Sequence, residues 1–180
     1  APECGTERQR ARVGKWLQDK TLYRAAETLV GAGIVSFQLY FLLGGPGVSR
    51  EEGVGGIASF LAGFRESVLA VSRRIGRMGS VTVALSPFVP KPFTPLQWAP
   101  MAREEELAAR GRDIAAALRG VPNVRLSGDR PAQAVAQGYL GRSDRRVAAD
   151  LVAASRGRLP GGRTGFAEAR SSVVYRERDA

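Results

Sequence analysis

The chain has 180 residues, of which 44% are apolar and 24% charged, with a formal net charge of +10. That length carries one domain with an appendage, and the composition is that of an ordinary globular chain rather than a collagenous or low-complexity one. With no histidine and one cysteine, Cys4, a histidine base, an internal disulfide and a multi-cysteine zinc or iron–sulfur site are excluded within these residues.

The first ten residues, APECGTERQR, lack the apolar core of a signal peptide. Thr21–Val30 has helical spacing, with Leu22, Ala25, Ala26 and Leu29 on one face and Gly31 as its stop. Ile34–Leu43 is rich in β-branched and aromatic residues and predicts an interior strand, ended by Gly44-Gly45-Pro46-Gly47. The apolar run around it, Gly31 to Gly47, is broken by Ser36 and Gln38 and is too short for a membrane span. A cytoplasmic protein without a membrane partner is the resulting expectation.

Ser49 and Glu52 form a capping box for a helix reaching about Arg74. Its apolar positions are Ile57, Phe60, Leu61, Phe64, Val68 and Val71, while Gly53, Gly55 and Gly56 each weaken its first turns by ~1 kcal/mol relative to alanine. Ser80–Leu85 predicts a second strand, and Ser86–Pro100 a proline-punctuated loop. A helix with Leu107, Ile114 and Leu118 on its inner side follows, then a short strand at Asn123–Ser127. Helices near Ala132–Leu140 and Asp144–Ser155 precede a Gly/Arg-rich, poorly ordered tail. Alternating helices and strands define an α/β protein with parallel pairing, whose ligands bind at the carboxyl ends of the strands.

Three segments fall at such ends: APECGTER, LYFLLGGPGVSREE and SPFVPKPFTPLQWAP. Each alone has a plain structural reading. The first serves as a surface turn. The second serves as a glycine turn before a helix, lacking the lysine of a P-loop and the G-x-G-x-x-G spacing. The third serves as a stiff loop whose Phe88, Phe93 and Trp98 cover the core. In this order they resemble the second half of the radical S-adenosylmethionine (SAM) barrel, closest to the branch with a cobalamin-binding-like domain ahead of it. The family pattern is approximately A-P-E-A-G-[ST]-x-R, then L-K-L-Y-F-M-I-G-L-P-x-E, then S-x-F-V-P-K-P-H-T-P-F-Q-W. Here it is matched by Ala1–Arg8 with Val13-Gly14-Lys15, by Phe37–Pro46, and by Ser86 with Phe88–Trp98. Even Gly128-Asp129 to Ser143–Val147 is similar to the region that follows the barrel. Gln38, Gly45, Val48 and Phe93 depart from the usual Lys, Leu, acidic residue and His.

The resemblance implies a partial (β/α) barrel, the second half of a radical SAM barrel with a helical C-terminal extension. Residues 1–120 would be the half-barrel, 121–155 a post-barrel α/β extension, and 156–180 the basic tail. It implies SAM as cofactor, and a [4Fe–4S] cluster whose C-x-x-x-C-x-x-C ligands lie upstream of Ala1. Such enzymes make a 5′-deoxyadenosyl radical that abstracts a substrate hydrogen, the cofactor carrying the chemistry and the barrel positioning it. By the same resemblance Glu3 would accept from the methionyl ammonium and Lys15 would pair with its carboxylate. Tyr40 would lie near the ribose, Gly44 and Gly45 would admit the adenosine, and Phe88 and Val89 would cover the adenine. No catalytic residue and no metal ligand is assigned to this chain. Its expected partner is the N-terminal half of the same protein, and a half-barrel predicts an exposed apolar strand edge and poor solubility.

Two other readings compete. A basic α/β module would hold nucleic acid with its arginines on phosphates. Only Lys15, Lys20 and Lys91 are lysines, and the arginines run from Arg8 to Arg178 without forming one block, so a compositional bias accounts for them equally well. A non-catalytic relic or interaction domain is the third reading. The sequence does not choose among RNA, protein and small molecules as substrate.

Overall fold

The computed structural model describes residues 1–155; the basic tail at 156–180 lies outside them. The described residues divide into two compact units, Ala1–Phe88 with Ala102–Pro131, and Val89–Met101 with residues 132–155.

The first unit is an α/β layer. Its elements are α1 (Glu7–Arg12), α2 (Asp19–Gly31), β1 (Ser36–Leu43), α3 (Arg50–Ile75), β2 (Ser80–Pro87), α4 (Glu104–Ala117) and β3 (Val124–Gly128). The strands form a parallel sheet in the order β1-β2-β3. Ser36 pairs with Ser80 and Leu43 with Pro87 across β1 and β2, and Val81 with Val124 across β2 and β3. Helical crossovers between neighbouring strands are what parallel pairing demands.

One face of this sheet makes the core. Leu39, Phe41 and Leu43 of β1 and Val81, Val83 and Leu85 of β2 are buried on it. The six apolar positions of α3 singled out by helical spacing are all buried. Phe37 meets Phe64 and Phe41 meets Phe60 edge to face, with centroids 5.6 and 5.8 Å apart. Tyr23 of α2 extends the cluster onto Phe60 and Phe64, and its hydroxyl donates to the Phe60 carbonyl at 3.2 Å. By length and apolar content α3 would meet the measure of a membrane span; its packed aromatic face gives it the role of a core helix.

Local signals explain the ends. The Ser49 hydroxyl accepts from the Glu52 N–H, and Gly76 closes α3 in the left-handed conformation. Two expectations need correction. The buried face of α2 centres on Ala26 and Val30, while Ala25 and Leu29 are exposed, because the Tyr23 contact with α3 rotates the helix about its axis. Ile34 is also not in the strand; its N–H donates to the Leu29 carbonyl, completing the turn that leaves α2.

The second unit holds the loop Val89–Met101 and two helices, α5 (Pro131–Arg142) and α6 (Val147–Ser155). The Arg142 guanidinium donates to the Ala99 carbonyl, and the Tyr139 hydroxyl donates to Asp150. The Met101 sulfur lies so close to Gly138 that a Cβ there would sit 2.7 Å from it. That contact fixes the loop's base on α5.

Candidate functional site

The opposite face of the sheet is polar. It carries Ser36, Gln38, Tyr40 and Leu42 from β1, Ser80, Thr82, Ala84 and Ser86 from β2, and Arg125 and Ser127 from β3. Apart from buried Ala84, these side chains are half-buried or exposed, and the Ser36 and Ser80 hydroxyls lie 3.3 Å apart. Parallel sheets ordinarily bury both faces behind apolar side chains. Here one face is a polar wall, lined by serine, threonine and tyrosine and open to solvent.

Glu3 stands at the carboxyl end of this wall. Its N–H donates to the Tyr40 carbonyl at 3.0 Å, and its carbonyl accepts from the Leu42 N–H at 2.7 Å. These two bonds make a parallel bridge to Phe41, so the first residues lie alongside β1 as a fourth strand would. Glu3 holds φ at 62°, the left-handed region where a residue other than glycine costs about 1–3 kcal/mol. Its carboxylate accepts from the Lys15 ammonium at 2.8 Å, with each side chain about one-third exposed. Lys15 is itself fixed by its N–H, which donates to the Arg10 carbonyl at 2.9 Å.

Arg10 is the organising residue that the sequence reading passed over. Its side chain is fully buried. Its Nε donates to the Leu17 carbonyl at 2.8 Å and one Nη to the Cys4 carbonyl at 2.9 Å. The other Nη pairs with Asp19, and the guanidinium lies 5.4 Å from the centre of the Phe60 ring. The helix carrying it, α1, has a legible signal in Thr6-x-x-Gln9, a capping-box spacing whose Thr6 hydroxyl accepts from the Gln9 N–H at 3.2 Å.

The remaining nominated residues divide. Tyr40 is half-exposed on the polar wall, beside small Ala84 on β2. Gly44 has φ at 72°, and a Cβ there would lie 2.9 Å from Leu107 and 3.0 Å from Ala102; its glycine serves the packing of α4. Gly45 has open space where a Cβ would stand. Phe88 is buried and its N–H donates to the Leu43 carbonyl at 2.8 Å, extending the ladder past β2. Val89 is half-buried in the second unit, facing Gly138. The ladder and the Glu3–Lys15 pair thus gather Glu3, Lys15, Tyr40, Gly44, Gly45 and Phe88 at one end of the first unit.

The cleft beside Gly44 and Gly45, lined also by Cys4, Gly5, Val13 and Ile57, has a volume of about 30 Å³. That is room for a water molecule, not a nucleotide. Among the described residues no group of three or more His, Cys, Asp or Glu could hold a metal.

Burial pushes the Cys4 thiol up to about 11, the Glu3 charge adds to this, and Arg10 and Lys15 partly oppose it. The folded state therefore favours the protonated thiol. Its contribution to stability is complete below the unfolded value of 9.0 and is lost as pH rises through about 11. At neutral pH, alkylation of Cys4 in the native chain should run about 100-fold slower than in urea from ionisation alone. A Cys4→Ala variant should lose less stability than the native chain between pH 9 and 11. Rapid native-state labelling with iodoacetamide would contradict this account.

No known protein family, curated protein or solved structure matches the chain.

Proposed function

We propose that this chain is the SAM-binding half of a radical SAM enzyme, its three-stranded sheet being part of a (β/α) barrel that chain upstream of Ala1 completes. The observation that carries the reading is the Glu3–Lys15 ion pair, held at 2.8 Å on the carboxyl end of a parallel ladder. The pair has the donor set for an amino-acid zwitterion. An ammonium taken by Glu3 and a carboxylate taken by Lys15 exchange one charge pair for two. Backbone strain at Glu3 supports the same conclusion, because strained residues persist where function over-determines them.

When bound beside a reduced cluster, SAM supplies the radical chemistry of this class. The residues of this chain bind and orient it. Glu3 and Lys15 fix the methionyl end, Tyr40 offers a hydroxyl from the polar wall, and Gly45 leaves the backbone approachable. A [4Fe–4S] cluster is held by several cysteine thiolates, and Cys4 is the one cysteine of this chain. The cluster ligands are therefore assigned to residues outside this chain, and the isolated chain is inactive.

Calorimetric titration with SAM tests the proposal. Glu3→Gln and Lys15→Met should each weaken binding about ten-fold or more, the usual loss for a charge-assisted hydrogen bond. Absence of binding at millimolar ligand, or native affinity in both variants, would overturn it.

A further inference from the structure

In the second unit, the loop Val89–Met101 directs two aromatic side chains almost wholly into solvent. Phe93 is 97% exposed and Trp98 is 86% exposed. Only the buried Phe88 suits the reading that these aromatics cover a core.

The loop is stiff in spite of that exposure. Pro90, Pro92, Pro95 and Pro100 restrict its backbone. The Thr94 hydroxyl donates to the Lys91 carbonyl at 2.7 Å, and the Gln97 and Ala99 N–H groups close successive turns on Thr94 and Leu96. The Phe93 N–H donates to the Gln97 side-chain oxygen at 3.2 Å. Phe93 itself has φ at 61°, a conformation glycine takes freely and phenylalanine takes at a cost. An aromatic ring that is both strained and bare in water contributes nothing to the packing of this unit. Its position makes sense if the ring contacts something else.

Charge indicates what that is. Lys91 is the loop's one ionisable side chain and is exposed. From the end of α5 through α6, Arg142, Arg145 and Arg146 outnumber Asp144 and Asp150. Arg142 donates to the Ala99 carbonyl and Arg146 pairs with Asp144, so Lys91 and exposed Arg145 carry the excess charge. The sequence beyond Ser155 is rich in arginine. We infer that the Lys91–Trp98 loop is a stacking platform for single-stranded nucleic acid, with bases on Phe93 and Trp98 and phosphates on Lys91 and the neighbouring arginines. Single strands expose base faces that duplexes hide, and aromatic faces with nearby cations are what such strands bind. This inference uses none of the residues assigned to SAM, so the two readings fail separately.

The test uses the full chain in a Trp16→Phe background, so that Trp98 alone reports. Fluorescein-labelled single-stranded RNA of about 12 nucleotides, DNA of the same sequence and the matching duplex are titrated by anisotropy. Both single strands should bind more tightly than the duplex and quench Trp98. Trp98→Ala and Phe93→Gly should each weaken binding about ten-fold, with Trp98→Phe retaining most of it. Lys91→Ala should lower the salt slope by about 1. Phe93→Gly relieves the backbone, so its binding loss should come without a lower melting temperature. The inference is overturned by no binding at low salt, by native-level binding in both Trp98→Ala and Phe93→Gly, or by a preference for duplex. It is equally overturned if Trp98 emission follows protein concentration alone, which would mark a contact between copies of this chain.

Discussion

Replacing Arg10 by methionine should lower the unfolding free energy by about 3 kcal/mol, chiefly the cost of leaving the Cys4 and Leu17 carbonyls without their donor. The guanidinium has no solvent exposure and serves three separate acceptors, the Cys4 and Leu17 carbonyls and the Asp19 carboxylate. Methionine fills the volume but leaves two carbonyls and one carboxylate without their donor. Lysine keeps the charge yet cannot reach three divergent acceptors from one point, so Arg10→Lys should recover little of the loss. Asp19→Asn keeps a side-chain oxygen that can accept from the same Nη and leaves both carbonyl bonds of Arg10 intact. Asp19→Asn should therefore cost less than Arg10→Met. The variants should also weaken SAM binding, because the Arg10 carbonyl fixes Lys15 and its side chain fixes the residue after Glu3. Urea unfolding of the three variants checks the order. A loss under about 1 kcal/mol for Arg10→Met would remove Arg10 from its organising role.

Much of the fold was legible because periodicity and turn chemistry agreed. The apolar positions of α3 recur at helical spacing and every one is buried. Gly44 ends β1 in a left-handed turn, which is the conformation the GGPG segment favours. The polar wall was less legible. Ser36 and Gln38 hint at alternation, but Leu39–Leu43 reads as an unbroken apolar run, and the register is what separates Tyr40 from Phe41 onto opposite faces. The function of Arg10 could not be read at all. Its three acceptors are two backbone carbonyls and a carboxylate nine residues away, and only the folded path of residues 4–19 brings them together. The glycines of α3 were misleading in another way. Propensity counts them as weaknesses of the helix, yet Gly56 is where the entry segment lies against the helix backbone, and that approach requires glycine at position 5.

That requirement leads to a second large effect. A Cβ on Gly5 would stand 2.2 Å from both the Gly56 carbonyl carbon and the Ile57 nitrogen. Those atoms are helix backbone and cannot swing aside, so Gly5→Ala must push the first residues off α3. The displaced segment includes the Glu3 bridge to β1 and the Cys4 carbonyl that Arg10 holds. A cost of about 3 kcal/mol, at the upper end for overpacking, is expected, together with loss of SAM binding. Gly56→Ala meets the Thr6 methyl at 2.9 Å and makes ordinary contacts with the Gly5 backbone and Gln9, and it gains ~1 kcal/mol of helix propensity, so the two effects should nearly cancel. Gly55→Ala meets nothing within 4 Å and should stabilise the chain by that same propensity difference. Denaturant midpoints should thus rise from Gly5→Ala through Gly56→Ala to Gly55→Ala. If Gly5→Ala proved as stable as the native chain, the entry segment would not lie against α3, and the Glu3–Lys15 pair would lose the support that holds it at the sheet's carboxyl end.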